Sequence, residues 1–503
     1  MSRTVSFFKN SASTAFLQVI TMFVGFFIPR IMIGVYGSEI NGLVSSITQF
    51  IAYFNLVEAG ISGAAVWALY KPLAEHDNKT LSAIVVAAKN FYNKAGYIFV
   101  SLTLGLAIIY PAFISVHLLS YVEVFLLVLI LGVSGALEFF TLAKYRALLT
   151  ADQKTYVISI ASVGAIILNA LIISVLAYLN YNIVFVRFVA LLSVFLRSII
   201  LCIYVKKHYP YINYNEEADN TKLNKHWDAM FLQLLGVVQS GGPIVMATLL
   251  TDLKMVSIYA VFNLVIGGIN SVLSIFISGL SASFGDVIAR NEKEILKKAY
   301  NEFELSYYML ITVVYAVAFI LIMPFIRIYT QDIADINYEL PVLGFLMVLN
   351  GLLYNIKTPQ GMMVISAGWY KETKIQTTIQ AIILVVVGSI CGYYWGITGI
   401  LIGTILSNTY RDIDLAVFIP KYLLNINPLR TILRILFVLI IAVLLYLPFY
   451  FYPINVENIF EWCLHALIMV FYASIVTFIT AFILENQTLK EIIKRIYGVI
   501  NGK

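Results

Sequence analysis

Apolar runs of about 20 residues, the length a helix needs to cross the hydrocarbon core of a bilayer, recur along the whole 503-residue chain. Read at that length, the pattern predicts helices near 11–34, 42–70, 95–118, 121–149, 155–179, 183–206, 229–250, 257–289, 305–329, 339–367, 375–393, 397–420, 431–452 and 460–484. Basic residues mass in every second connection. Arg3 and Lys9 precede the first helix, and Lys71, Lys79, Lys89 and Lys94 follow the second. Lys144, Arg146 and Lys154 follow the fourth, and Lys206, Lys207, Lys222 and Lys225 the sixth. Arg290, Lys293, Lys297 and Lys298 come next, then Lys371 and Lys374, then Lys421, Arg430 and Arg434, and last Lys490, Lys494, Arg495 and Lys503. The positive-inside rule then predicts that both termini are cytoplasmic. The fold class expected is an all-α, multi-pass integral membrane protein of about fourteen transmembrane helices.

The longest polar connection, 207–228, contains Glu216 and Glu217 and separates six predicted helices from eight. It suggests an N-lobe over 1–206, a cytoplasmic linker over 207–228, a C-lobe over 229–421, and two further helices with a cytoplasmic tail over 422–503. At an offset of 215 residues Phe16-Leu17-Gln18 falls on Phe231-Leu232-Gln233, Asn55 on Asn270, Val57 on Val272 and Leu81 on Leu296. An even number of helices per repeat would relate the two six-helix lobes by a pseudo-two-fold axis along the membrane normal.

Composition agrees with the helical pattern. Hydrophobic residues make up 61% of the chain and charged residues only 12%, a balance no soluble core of this size hides. The net charge of +6 lies in the inside connections, where it faces anionic headgroups, so no nucleic-acid partner is expected. Cys202, Cys391 and Cys463 fall inside spans without metal-ligand spacing and read as packing residues. The N-terminal MSRTVSFFKNSAST carries no small-residue cleavage site, so no removable signal is expected. There is no nucleotide fingerprint or nucleophile–base pair, and the chain does not read as an enzyme.

A charge at the centre of a bilayer costs about 2.5–3.5 kcal/mol on insertion scales, so each one needs a partner or a task. Glu58 lies in helix 2, Arg197 in helix 6, Lys357 in helix 10, and Arg411, Asp412 and Asp414 in helix 12, while Arg30 sits toward the outer end of helix 1. Arg30, Arg197, Lys357 and Arg411 are candidate contacts for an anionic substrate, Arg gripping phosphate oxygens as a fork and Lys as a point charge. Glu58, Asp412 and Asp414 are candidates for coupling to a proton or sodium gradient, or else members of structural ion pairs. Arg187 and Arg327, near helix ends, are expected to snorkel. Polar stripes on helices 1, 2 and 8 include Gln18, Asn55 and Asn270. Such stripes serve either as helix–helix glue or as the lining of an aqueous cavity. Ser240-Gly241-Gly242-Pro243 and Lys357-Thr358-Pro359-Gln360-Gly361 should kink or unwind helices 7 and 10.

The segment Ile28-Pro-Arg30-Ile-Met-Ile-Gly-Val-Tyr-Gly37-Ser-Glu39-Ile-Asn-Gly42, continued by Leu56-Val-Glu58-Ala-Gly60 and Tyr70-Lys71-Pro72-Leu73-Ala74, resembles the start of Wzx-like polysaccharide-repeat flippases. These belong to the multidrug/oligosaccharidyl-lipid/polysaccharide exporter superfamily, abbreviated MOP. The resemblance covers roughly residues 1–90 and is topological beyond them. It implies movement of an undecaprenyl-diphosphate-linked oligosaccharide across the bacterial cytoplasmic (inner) membrane by rocking of two lobes, for surface polysaccharide assembly. A polysaccharide polymerase and assembly proteins would be partners, and no cofactor is implied. Cation-coupled drug export and lipid II flipping are the alternatives within the superfamily.

Overall fold

The computed structural model describes residues 3–58, 62–219, 227–277, 280–452 and 454–500, and every regular element among them is helical. The first part comprises α1 (Arg3–Phe54), α2 (Ser62–Glu75), α3 (Asn78–Phe113), α4 (Tyr121–Leu137), α5 (Ala143–Ala151), α6 (Thr155–Tyr178), α7 (Ile183–Ala190) and α8 (Leu192–His208). The second comprises α9 (Trp227–Leu250), α10 (Leu253–Ile277), α11 (Leu280–Ala289), α12 (Lys293–Tyr329), α13 (Pro341–Ile356), α14 (Thr358–Ala367) and α15 (Lys374–Phe418). It closes with α16 (Pro428–Phe451), α17 (Ile459–Leu484) and α18 (Asn486–Ile500). Among the described residues, 11 helical stretches are long and apolar enough to cross a membrane, so the chain is a multi-pass membrane protein.

Two of those stretches hold a change of direction that only glycine tolerates. Gly37 in α1 has φ 83° and ψ 170°, a region closed to residues with a Cβ, and it falls at the connection expected between helices 1 and 2. Gly396 in α15 plays the same part (φ 57°, ψ −138°), and the arms on either side of it pack closely. A Cβ on Gly403 would come within 2.4 Å of the Gly388 backbone, the small-residue contact by which membrane helices approach.

The Ser240–Pro243 segment differs from expectation. It stays inside the continuous helix α9, because a proline removes one backbone hydrogen bond without forcing a membrane helix to unwind. The helix 10 break is present: α13 ends at Ile356, Lys357 is the junction and α14 starts at Thr358. Helix 2 is also broken, by a 3₁₀ turn over Asn55–Glu58.

The chain divides into two compact units, Met1–Val237 with Thr251–Ala260, and Val238–Leu250 with Val261–Lys503. In the first, α1 packs on α6 and α3 on α4; in the second, α12 packs on α13, α16 and α17. A buried polar hub ties the second unit together. Glu304 on α12 accepts from Tyr300 (2.7 Å), Gln360 (2.8 Å) and Thr431 (2.9 Å), and its other oxygen pairs with Arg434 at 2.7 Å. Arg434 also donates to Glu485 at 2.9 Å, and Arg430 reaches the same carboxylate at 2.8 Å. Arg430 and Arg434 therefore lie in the opening turns of α16, engaged in ion pairs, and are not charges of the preceding connection, where the alternation of basic residues groups them. Pro428 starts that helix three residues before the apolar run at 431–452. The amphipathic α18 is held to α12 by Arg495–Glu302 at 2.6 Å.

Burial acts to raise the Glu485 carboxyl, but hydrogen bonds and charge from Arg430 and Arg434 outweigh it and bring the pKa down to about 2. A carboxyl depressed by folding contributes stability above its free value of 4.5 and loses it as pH falls toward about 2. The melting temperature in detergent should therefore fall between pH 5 and 2 less steeply in Glu485→Gln than in the native protein; identical slopes would exclude this linkage. Side chains of Arg434 and Glu304 are only 3% and 2% exposed, against 49% and 44% for the pair Arg327–Glu339. Arg434→Ala should cost about 3–5 kcal/mol, as loss of one partner of a buried pair does. Arg327→Ala should cost about 1 kcal/mol or less. Equal shifts in thermal melts of the two variants would contradict the assignment.

Candidate functional site

The first unit contains a partly open cavity of about 520 Å³. Thr21 and Thr48 reach it from α1, Ser134 from α4, Ser162 and Asn169 from α6, Arg187 from α7, and Ser193 and Arg197 from α8. Glu138 completes the polar lining, and Leu17, Ile130, Leu131, Ile166 and Val194 supply apolar wall. The volume lies in the range of small-ligand pockets. Ser134, Ser162 and Ser193 donate their hydroxyl protons to backbone carbonyls at 2.7–2.8 Å, so their oxygens are left chiefly as acceptors. The two guanidiniums are the strong donors.

Glu138 owes its position to a π-helical turn. Ala143 N–H bonds to the Glu138 carbonyl, five residues back, across Glu138–Leu142. In a regular helix residues eight apart point about 80° away from each other. One extra residue in a turn removes most of that offset, to about 20°. Glu138 and Arg146 thereby share a face, and their side chains meet at 3.5 Å.

Four charges line up from there. Arg197 Nη1 donates to Glu138 Oε1 at 2.9 Å, Arg146 Nη1 reaches Glu138 Oε2, and Arg146 Nη2 contacts both Glu58 oxygens at 3.1 and 3.2 Å. Glu58 and Arg197 are thus ion-paired. Arg146 belongs to α5 and this network, not to a loop whose role is topological. Arg187 has no carboxylate within 4.0 Å among the described residues, and the Nε of Arg187 and of Arg197 are buried without an acceptor. Arg187 lines the cavity, where its position near a helix end had suggested snorkelling.

The other candidates lie elsewhere. In the first unit Arg30 is half-buried on α1 outside the cavity lining, and Gln18 and Asn55 are exposed. In the second unit Asn355, two residues before the junction Lys357, donates to Asn270 at 2.8 Å and to Tyr315 at 2.8 Å, and accepts from Tyr307 at 2.9 Å. The Ile356 carbonyl freed at the break accepts from Tyr308 at 3.0 Å, as backbone inside an apolar bundle must. Lys357 donates to Asn408 and lies 4.8 Å from the centre of the Tyr354 ring. Arg411 pairs with Asp414. Asp412 is 5% exposed, neither of its carboxylate oxygens has a hydrogen bond, and it interacts electrostatically with Lys357. Among the described residues no group of His, Cys, Asp and Glu is arranged to hold a metal ion.

Glu138 and Arg187 are the charged cavity residues that sequence reasoning missed, and the polar Ser134, Ser162, Asn169 and Ser193 went unnoticed with them. Glu138 was visible as an acidic residue near the middle of the fourth apolar run.

No protein-family model matches the sequence, and no curated protein does. Solved structures do share the fold. A multidrug resistance MATE family transporter of the MOP superfamily in its inward-facing conformation aligns with TM-score 0.67 at 14% identity, over 85% of this chain and 98% of its own. The lipid II flippase MurJ in an inward closed conformation aligns with TM-score 0.65 at 15% identity, over 95% and 99%. A MOP superfamily transporter from Pyrococcus furiosus Vc1, described by the reverse polarity of its binding pocket, aligns with TM-score 0.50 at 15% identity, over 85% and 96%. The fold is that of MOP superfamily transporters.

Proposed function

We propose that this protein is a flippase that carries a lipid-linked oligosaccharide with an anionic diphosphate headgroup across the bacterial cytoplasmic membrane by alternating access. The substrate expected is an undecaprenyl-diphosphate-linked repeat unit for a surface polysaccharide. The observation that carries the reading is the cavity of the first unit, which sets Arg187 and Arg197 against the single carboxylate of Glu138 in an otherwise hydroxyl, amide and apolar lining. Guanidiniums recognise phosphate oxygens through paired, charge-assisted hydrogen bonds, and Asn169 with the serine oxygens offers groups suited to sugar hydroxyls. A space of about 520 Å³ suits a diphosphate with part of its glycan, and leaves a long isoprenyl tail in the bilayer. The fold shared with MATE transporters and with the lipid II flippase MurJ supports a transport role. A cavity with more guanidiniums than carboxylates favours an anionic headgroup over a cationic drug.

A hydrogen bond to a charged group contributes about 1.5–3 kcal/mol, roughly tenfold or more in affinity. Arg187→Ala and Arg197→Ala should each lower surface polysaccharide about tenfold or more at unchanged protein level, in cells where this chain is the sole flippase for that polymer. Undiminished polymer in both variants would refute the proposal.

A further inference from the structure

One of the cavity's two cations is already paired with an anion. Glu138 bridges two guanidiniums, holding Arg197 at 2.9 Å with one oxygen and Arg146 at 3.5 Å with the other. Arg146 in turn is held by Glu58 at 3.1 Å. In the row Glu58, Arg146, Glu138, Arg197 the charges alternate and balance. Arg187, on the neighbouring wall, is the cation left over.

We propose that Glu138 is an internal competitor for the substrate's diphosphate: it occupies Arg197 while the cavity is empty, yields it when the headgroup enters, and takes it back as the headgroup leaves. The inference rests on the reading of this cavity as the headgroup site. A singly charged ligand is neutralised by Arg187 alone. A ligand with a second negative charge needs Arg197 as well, and Arg197 has one Nη bound to Glu138. Because Glu138 also touches Arg146, it can release Arg197 without being left as an unpaired carboxylate at bilayer depth, a state that costs several kcal/mol. The π turn over Glu138–Leu142 makes this possible, since it brings Arg146 onto the face of Glu138. Glu138 is therefore a positioning residue whose effect on transport acts through Arg197. Its consequence is kinetic. A carrier must release what it binds, and a resident carboxylate returning to Arg197 weakens the hold on the departing anion.

The test uses the full-length protein in detergent micelles with farnesyl diphosphate as probe, binding measured by calorimetry, and flipping of a lipid diphosphate measured in proteoliposomes. Glu138→Gln should bind farnesyl diphosphate at least tenfold tighter and flip more slowly, a gain in affinity with a loss in turnover. Glu138→Asp keeps the charge on a shorter arm that cannot span both guanidiniums. It should show the same split to a smaller degree, which covers the case that the neutral variant fails to fold. In an Arg197→Ala background the gain from Glu138→Gln should fall to less than threefold. A gain of the same size with and without Arg197 would mean that Glu138 acts by general repulsion, and would overturn the competitor role. No gain in either Glu138 variant would overturn it too. Absence of farnesyl diphosphate binding to the native protein, or binding that Arg187→Ala leaves intact, would instead refute the headgroup site itself.

Discussion

The cost of holding a charge inside an apolar bundle governs where this chain puts its polar side chains. A guanidinium or carboxylate taken out of water loses more solvation than one contact returns, so it persists where several partners converge on it. In the second unit that condition produces the Glu304 hub, where a buried carboxylate collects Tyr300, Gln360, Thr431 and Arg434. One acidic residue thereby joins α12 to α14 and α16, and through Arg434 and Glu485 to the end of α17. In the first unit the same condition produces the row from Glu58 to Arg197. There the compensation stops one cation short, at Arg187, and the cavity opens at that point. The second unit has its own incompletely bonded charge, the Asp412 carboxylate near Lys357.

Spans were legible in the sequence because hydropathy and the alternation of basic connections are local signals. Those signals report the stretch that faces lipid and not how far a helix continues beyond it. α3 begins at Asn78 and α12 at Lys293, both well before the apolar runs that predict them. Lys89, Lys94, Lys297 and Lys298, which the pattern places in connections, are consequently helical. The helix 10 break announced itself through Lys357-Thr358-Pro359, whereas the equally suggestive Ser240–Pro243 stretch stayed helical.

Partnerships were not legible. Glu58 and Arg146 lie 88 residues apart, and Glu138 and Arg197 lie 59 apart, and nothing in local pattern joins them. Glu58 and Arg197 stand out in the sequence as charges within spans, but their pairing depends on tertiary packing and on the phase shift of one π turn. Arg187 lies near a helix end, a position that predicts snorkelling. The α7–α8 junction at Leu191 instead leaves it on the cavity wall beside Arg197. A sequence shows which charges need an explanation; only the packing shows which of them are already satisfied.

In the proposed function the Arg187–Arg197 cavity receives the anionic headgroup while the lipid tail remains outside it. The most direct measurement is a cryo-electron microscopy structure of the native protein with farnesyl diphosphate. Diphosphate density is expected within hydrogen-bonding distance of Arg187 and Arg197, with Glu138 moved off Arg197 onto Arg146. Diphosphate density elsewhere in the protein, with the cavity empty and the Glu138–Arg197 pair intact, would contradict this placement.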